Sequence, residues 1–427
     1  MFIKELNSSP GVAETYHSDL WGLQYKKYEW LLKNSISTTP WTKASPHSPF
    51  YLLKPVDITH AQEYQRGWSI IDAMPVKTPG IVTARDALTI HSSKEEVWDT
   101  IDEFSRLSPE EARSRFDLVQ DTRDWLVRSA QQDLVRSGLS KERISAILYR
   151  PFDIQYTYYT STWKGFHSLP RGDVMHHMID GKNLGLIIVR QVAEGVFNHV
   201  FITESIVDNR ITSSNKGYGQ LFPLYLYPDV SNLQKIVLEE EKRLNFSQTF
   251  LSALKDKLNF IPKPETILCY IYDIFHSPTY RTRYAEFLTI DFARIPLTSN
   301  KELFYRLSSY GEELVALHLM KSFRLNNLIT RTDDKGGRFT IDAAHPKYAN
   351  GKVIINKKGD GFVEVPEVVW NFHVGGYQVC HKWLKDRKGR TLTQEDITHY
   401  QRIVVALQET IHLMQQIDET IPGFPIE

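Results

Sequence analysis

The last long stretch of the chain is the strongest constraint on its fold. From Gln394 onward, Ile397, Tyr400, Ile403, Val404, Leu407, Ile411, Met414 and Ile417 recur at spacings of three, three, one, three, four, three and three. This is the rhythm of an α-helix with an apolar face. A stripe that long has to be covered, so the preceding chain must build a core against it. Two earlier segments are also helical in pattern. KPETILCYIYDIFHS (residues 263–277) is helical in pattern, and Asn300–Phe323 carries a second stripe of Leu303, Leu307, Leu314, Leu317 and Met320. With 427 residues, 41% hydrophobic and 12% aromatic, the chain has material for a substantial core and for two or three domains.

Between these helices the character is β. ILYRPFDIQYTYYT, NLGLIIVRQ, HVFITESIV and FPLYLYP are short strands separated by Gly, Asn and Ser clusters, and GKVIINKKGDGFVEVPEVVWNF reads as strands on both sides of a Gly-Asp-Gly turn. Before them, SSKEEVWDTIDEF, SPEEARSRF and DTRDWLVRSAQQDLV are helical, the first opening on a Ser cap followed by Glu. Tyr25, Tyr28 and Leu32 predict one short helix near the N-terminus, followed by a proline-punctuated loop and a strand at Phe50–Leu53. The expected fold class is α+β. Its parts are an irregular segment 1–60, a helical connector 61–145, a mixed β-rich domain 146–393 and a C-terminal helix 394–427.

Several chemistries are excluded by what is missing. There is no G-x-x-x-x-G-K-[ST] loop, no G-x-G-x-x-G after a strand, no H-E-x-x-H and no G-x-S-x-G. His176 and His177 are adjacent, so on a helix they diverge and do not chelate one metal as an i, i+4 pair does. Glu240 and Lys242 have a nuclease-like spacing, but within a helical run that reads as a solvated face, as do Asp99, Asp102 and Glu103. No catalytic, cofactor-binding or metal-binding residue is therefore assigned. Cys269 and Cys380 form no C-x-x-C pair, which suggests a reducing compartment. The first residues, MFIKELNSSPG, lack the apolar core of a signal peptide, and the longest apolar runs, such as LGLIIV, are far below spanning length. The expectation is a cytoplasmic protein without membrane contact.

The 51 basic and 51 acidic residues cancel, so attraction to a polyanion must be local. GGYQVCHKWLKDRKGR (375–390) sets Lys382, Lys385, Arg387, Lys388 and Arg390 against one acid, Asp386, with Tyr377 and Gln378 alongside. Lysine and arginine neutralise phosphates, and such a run either grips a backbone or is a solvated face. RPFDIQYTYYTSTWKGFHSLPRGD mixes stacking planes with cations: Arg150, Tyr156, Tyr158, Tyr159, Trp163, Lys164, His167 and Arg171. Arg190 and Gln191 follow a strand, and DNRITSSNKGYG supplies Asn209, Arg210, Ser213, Ser214, Asn215 and Lys216 in a loop able to read base edges.

Several long blocks carry a resemblance. ILYRPFD (Ile147–Asp153), PRGDVM (Pro170–Met175), FPLYLYP (Phe222–Pro228), HSPTYRTRYAEFLTIDFARIPLT (His276–Thr298), GEELVALHL (Gly311–Leu319) and VGGYQVCHKWLKDRKGR (Val374–Arg390) resemble the C-terminal specificity region of Type ISP restriction-modification enzymes. Leu169 stands where a second arginine is expected before PRGDVM. The resemblance implies that residues 1–60 correspond to the end of an adenine methyltransferase domain and 146–393 to a target-recognition domain, with Tyr280 and Arg281 added to the DNA-contacting set. It implies double-stranded DNA as a partner, and a methyltransferase/translocase domain on another chain. S-adenosylmethionine, ATP and Mg2+ would belong to those other domains and none to this chain, whose motifs for them are absent. Two other readings remain open: a protein-interaction subunit that docks on a methyltransferase, and a divergent standalone nuclease. Acids and a lysine converging on a cleft would favour the latter.

Overall fold

The computed structural model describes residues 14–48, 50–179, 181–192, 195–212, 217–228 and 242–426. The chain divides into two compact units, Met1–Ala61 and Gln62–Glu427. In the first, β1 (Thr15–His17) pairs antiparallel with β2 (Thr42–Ala44) around α1 (Gln24–Lys33). Helix α1 forms where Tyr25, Tyr28 and Leu32 predicted it, yet none of its residues is buried. The strand expected at Phe50–Leu53 is absent, and Tyr51 adopts a left-handed backbone (φ +45°) incompatible with a strand.

Early in the second unit come a short strand, β3 (Thr78–Pro79), and a helical layer that includes α2 (Lys94–Arg106), α3 (Pro109–Arg115) and α4 (Val127–Ser137). Ser93 accepts the Glu96 amide at the start of α2, and Ser108 with Glu111 completes a reciprocal cap on α3. Val97, Ile101 and Phe104 of α2 share a core with Leu134, Tyr158 and Phe166. Residues 61–145 are thus tied to the β-rich part of the chain. In addition, Ile81 bridges to Asp208 and Val82 to Leu169.

Two sheets make the β layer. In the first, β4 (Ile144–Arg150) lies between β5 (Asp153–Tyr158), antiparallel, and β8 (Ile206–Val207), parallel. The second runs β3, β9 (Gly219–Pro223), β6 (Gly185–Val189), β7 (Val200–Thr203), all antiparallel. Every residue of β6 and β7 is buried, as their unbroken apolar runs require.

Helices α5 (Pro264–His276) and α6 (Lys301–His318) cross closely. Gly311 permits this, because a Cβ there would fall 2.0 Å from the Cys269 carbonyl oxygen. The apolar stripe predicted to run on to Phe323 stops at His318. Met320 turns left-handed (φ +59°), and the Ala316 carbonyl accepts the amides of Lys321 and Ser322.

A small antiparallel sheet comes next, ordered β10 (Arg331–Asp333), β13 (Gly361–Val363), β12 (Lys352–Ile354), β11 (Lys347–Ala349). Then come a tight hairpin, β14 (His373–Val374) and β15 (Tyr377–Gln378), and helix α7 (Val379–Lys385). The final helix, α8 (Gln394–Thr420), starts on a reciprocal cap of Thr393 and Asp396. Its middle is enclosed all round, since all five residues from Ile403 to Leu407 are buried. Ile411 and Met414, assigned to the stripe, are only half-buried, while Thr410 and Leu413 take the inner positions. Within this core the Tyr272 hydroxyl meets His318 Nδ1 at 2.5 Å, and His318 Nε2 meets the Thr410 hydroxyl at 2.9 Å.

Candidate nucleic-acid interface

Three segments meet where β4 turns into β5. Phe152 at the corner is left-handed (φ +62°), and the buried acids Asp153 and Asp208 lie on either side. A buried carboxylate without a partner is costly, so each acid fixes the cation that satisfies it. Asp208 takes Arg150 at 2.6 Å and also the amide of Arg210 at 2.9 Å. Burial opposes the Arg150 charge, but the Asp208 carboxylate raises the guanidinium above its ordinary value. Arg150 is further held flat against the Tyr149 ring, 3.9 Å away. Asp153 takes Arg387 at 2.7 Å, and Arg387 stacks on Trp383 at 3.6 Å.

These anchors pin two loops together. The Gly376 amide donates to the Thr212 carbonyl and the Gly375 amide to the Asn198 carbonyl. Gly375 is left-handed (φ +60°), and a Cβ there would stand 2.6 Å from the His199 ring. Pairing of Ile341 with Gly389 and Arg390 ties the basic run to the small sheet. A cleft of about 230 Å³ opens beside the corner, lined by Asp86, Tyr149, Asp153, Gln155, Asp386, Arg387 and Arg390 among others. Three acids converge there, but each is engaged: Asp86 by the Tyr149 hydroxyl, Asp153 by Arg387 and Asp386 by the Tyr377 hydroxyl. No lysine lines it. Among the described residues no group of three or more His, Cys, Asp or Glu side chains is placed to hold a metal ion.

The structure corrects part of the predicted contact set. Tyr158, His167, Tyr280 and Tyr377 have no accessible surface and serve the core. Tyr158 bridges Gly138 and Ser140, His167 meets the Thr157 hydroxyl at 2.8 Å, and the Tyr280 hydroxyl donates to the Arg294 carbonyl. Arg281 spends its Nε on the Phe275 carbonyl, and burial lowers its guanidinium to about 10. Gln378 donates its amide to the Trp370 carbonyl. Arg150 is committed inward, as is Arg387, so the net charge that the 382–390 run presents is smaller than its sequence suggests.

Other members of the set remain available. Lys385, Lys388, Arg190, Gln191 and Arg210 are exposed, although Arg190 pairs with Asp291 at 2.9 Å. Lys382 is half-buried, its ammonium 5.8 Å from the Tyr377 ring, and Tyr156, Lys164 and Arg171 are half-buried too. Ser213, Ser214, Asn215 and Lys216 lie outside the described residues, as does Glu240. His176 and His177 point to backbone: His176 Nδ1 meets the Gly172 carbonyl, and His177 Nδ1 accepts the Tyr227 amide.

Sequence reading missed a basic loop on the small sheet. Burial alone would raise the Asp360 carboxyl, but the Asn356 side chain and the amides of Lys335, Gly337 and Phe339 hold it below the usual carboxylate range. That hub orders a turn from which Arg338, Lys357 and Lys358 project, all exposed. The Lys-Lys-Gly-Asp-Gly run was visible only as a hairpin, because its partner loop is some twenty residues away in sequence.

The family model for the Type ISP C-terminal specificity domain matches residues 72–416. None of the curated proteins matches the chain. Among solved structures it is similar to a nuclease-deletion mutant of the Type ISP restriction-modification enzyme LlaGI in complex with a DNA substrate mimic. That match has a TM-score of 0.65 and 20% identity, and covers 95% of this chain and 38% of that one. It is similar to DrdV in a DrdV–DNA complex (TM-score 0.66, 19% identity, 92% and 42% covered). It is also similar to the ATP-dependent Type ISP enzyme LlaBIII bound to DNA (TM-score 0.68, 19% identity, 95% and 27% covered). At these identities the likeness is one of fold, and this chain spans less than half the length of each.

Proposed function

Because this chain belongs to the Type ISP C-terminal specificity domain family, we propose that it is the sequence-reading module of a restriction-modification system. It would bind double-stranded DNA and direct an adenine methyltransferase and a translocase-nuclease supplied by other domains or another chain. The family match over residues 72–416 carries the proposal. DNA complexes among its fold neighbours support it. S-adenosylmethionine, ATP and Mg2+ would be used by those other domains.

In this reading the exposed cations Arg210, Lys385 and Lys388, with Arg338, Lys357 and Lys358 on the small sheet, neutralise backbone phosphates. Loop residues between the sheets meet base edges. With formal charges balanced over the chain, attraction is confined to such patches, so binding in isolation is weak and steeply salt-dependent. Titration of a labelled duplex pool at several salt concentrations tests this. The logarithm of affinity should fall linearly with the logarithm of salt, whereas a flat response would mean that no phosphates are contacted and would favour docking on a protein.

A further inference from the structure

Trp163 stands at the tip of the loop after β5, and 68% of its surface is exposed. Its loop is neither slack nor relaxed. Ser161 (φ +62°) and Lys164 (φ +53°) are both left-handed without being glycine, as is Arg171 (φ +58°) just beyond. Such backbone persists only where its surroundings over-determine it, and it concentrates at functional sites.

The bracing is explicit. Buried Asp133 on α4 accepts the Thr160 hydroxyl at 2.6 Å and the Phe166 amide at 2.8 Å, closing the loop from below. Gly165 sits so tightly on that carboxylate that a Cβ would fall 2.2 Å from its oxygen. The Trp125 indole donates to the Phe166 carbonyl, and the Lys164 amide to the Ser168 carbonyl. Lys164 reaches back to the Arg123 carbonyl at 2.8 Å and lies 4.8 Å from the Trp163 ring. A rigid frame therefore holds one large apolar plane in solvent, where burial would have been favourable.

Resting on the proposed function, we propose that Trp163 is a stacking wedge: its indole enters a base step of the bound duplex, partly unstacking it, and packs on the exposed nucleobase, while Lys164 exchanges its Asp124 contact for a flanking phosphate. The surroundings favour a base over an apolar protein surface. Exposed Ser161 and Thr162 adjoin the indole in sequence and half-buried Lys164 lies 4.8 Å from its ring, with the Asp124 carboxylate 3.4 Å from the Lys164 ammonium, and no other large exposed hydrophobic lies in the Thr160–Arg171 segment. A flat π face beside hydroxyls and a cation fits a base with its phosphate, whereas a protein hot spot is sealed by a ring of contacts that exclude water.

The test uses the full chain and a random-sequence duplex pool at low salt. Trp163→Ala should lower affinity roughly 5- to 150-fold while leaving the salt slope and the melting temperature as in the parent. Trp163→Phe, which keeps a ring, should retain most of the affinity. It should also lose the largest part of the fluorescence quenching that DNA causes in the parent. If Trp163→Ala binds as tightly as the parent and Trp163→Phe is quenched as fully, the wedge is overturned while the DNA-reading role stands. If the parent and every variant fail to bind, the DNA-reading role itself is contradicted and the wedge with it.

Discussion

At Arg387 the guanidinium donates to Asp153 at 2.7 Å and stacks on Trp383, whereas Lys388, the next residue, is exposed and forms no ion pair among the described residues. Sequence alone presents them as two members of one basic cluster. Their difference comes from a partner more than two hundred residues away, which local composition does not reveal. The same holds for Arg150, whose acid lies on the far side of β7. Removing one member of a buried pair strands the other, so Arg387→Ala should destabilise the fold by about 3–5 kcal/mol. Lys388→Ala should change stability by less than about 0.5 kcal/mol while weakening binding to all duplex sequences alike and flattening the salt slope by about one. Urea unfolding and salt-series titrations of the two variants separate these outcomes. Equal stability losses would place Lys388 in the core network as well.

Among the elements, those with long periodic patterns were legible. Helix α8 begins at the residue its pattern gave, α1 and α5 lie where expected, and the apolar runs of β6 and β7 are fully buried. What pattern could not supply was the number of neighbours. Ile403–Leu407 are buried on all sides because α5, α6 and α7 all pack against α8. Nor could it supply backbone strain, which ends α6 at His318 and abolishes the strand at Phe50–Leu53. Of the candidate interface, composition marked the segments but not the directions of their side chains: of Tyr156, Tyr158 and Tyr159, which read as stacking planes, the last two are core and Tyr156 is half-buried. The α5–α6 crossing makes a prediction at this scale. In a solvated helix Gly→Ala is favourable by about 1 kcal/mol, but Gly311→Ala sets a methyl 2.0 Å from the Cys269 carbonyl and must force the helices apart. A lowered melting temperature is expected, and a raised one would mean that the crossing is looser than described.

Over the whole molecule, buried histidines set the response to acid. Burial holds His167 and His199 down to about 4 and His318 to about 3, and keeps His276 well below its ordinary value of 6.5. Between pH 6.5 and about 4 the unfolded chain binds protons that the folded one refuses, so stability is fully present above 6.5 and is lost as pH falls through that window. Asp273, Asp208 and Asp386 work the other way, since burial raises their carboxyls and protonation suits the folded state, while burial also lowers His381 and His399 and so adds to the loss in acid. Each unit of depression is worth about 1.4 kcal/mol, so denaturant unfolding at pH 7.5, 6 and 4.5 should show a loss of several kcal/mol, and a flat profile would contradict the burial of these rings. The larger claim is that the corner of β4 and β5, the loops pinned to it and the basic turn on the small sheet form a surface that discriminates among DNA sequences. Its most direct test is repeated selection of a random-sequence duplex pool on the immobilised full chain, followed by sequencing. The account predicts enrichment of one short motif, with Arg171→Ala reducing that enrichment more than Lys388→Ala does. Retention of duplexes without any sequence enrichment, with both variants lowering retention alike, would contradict it.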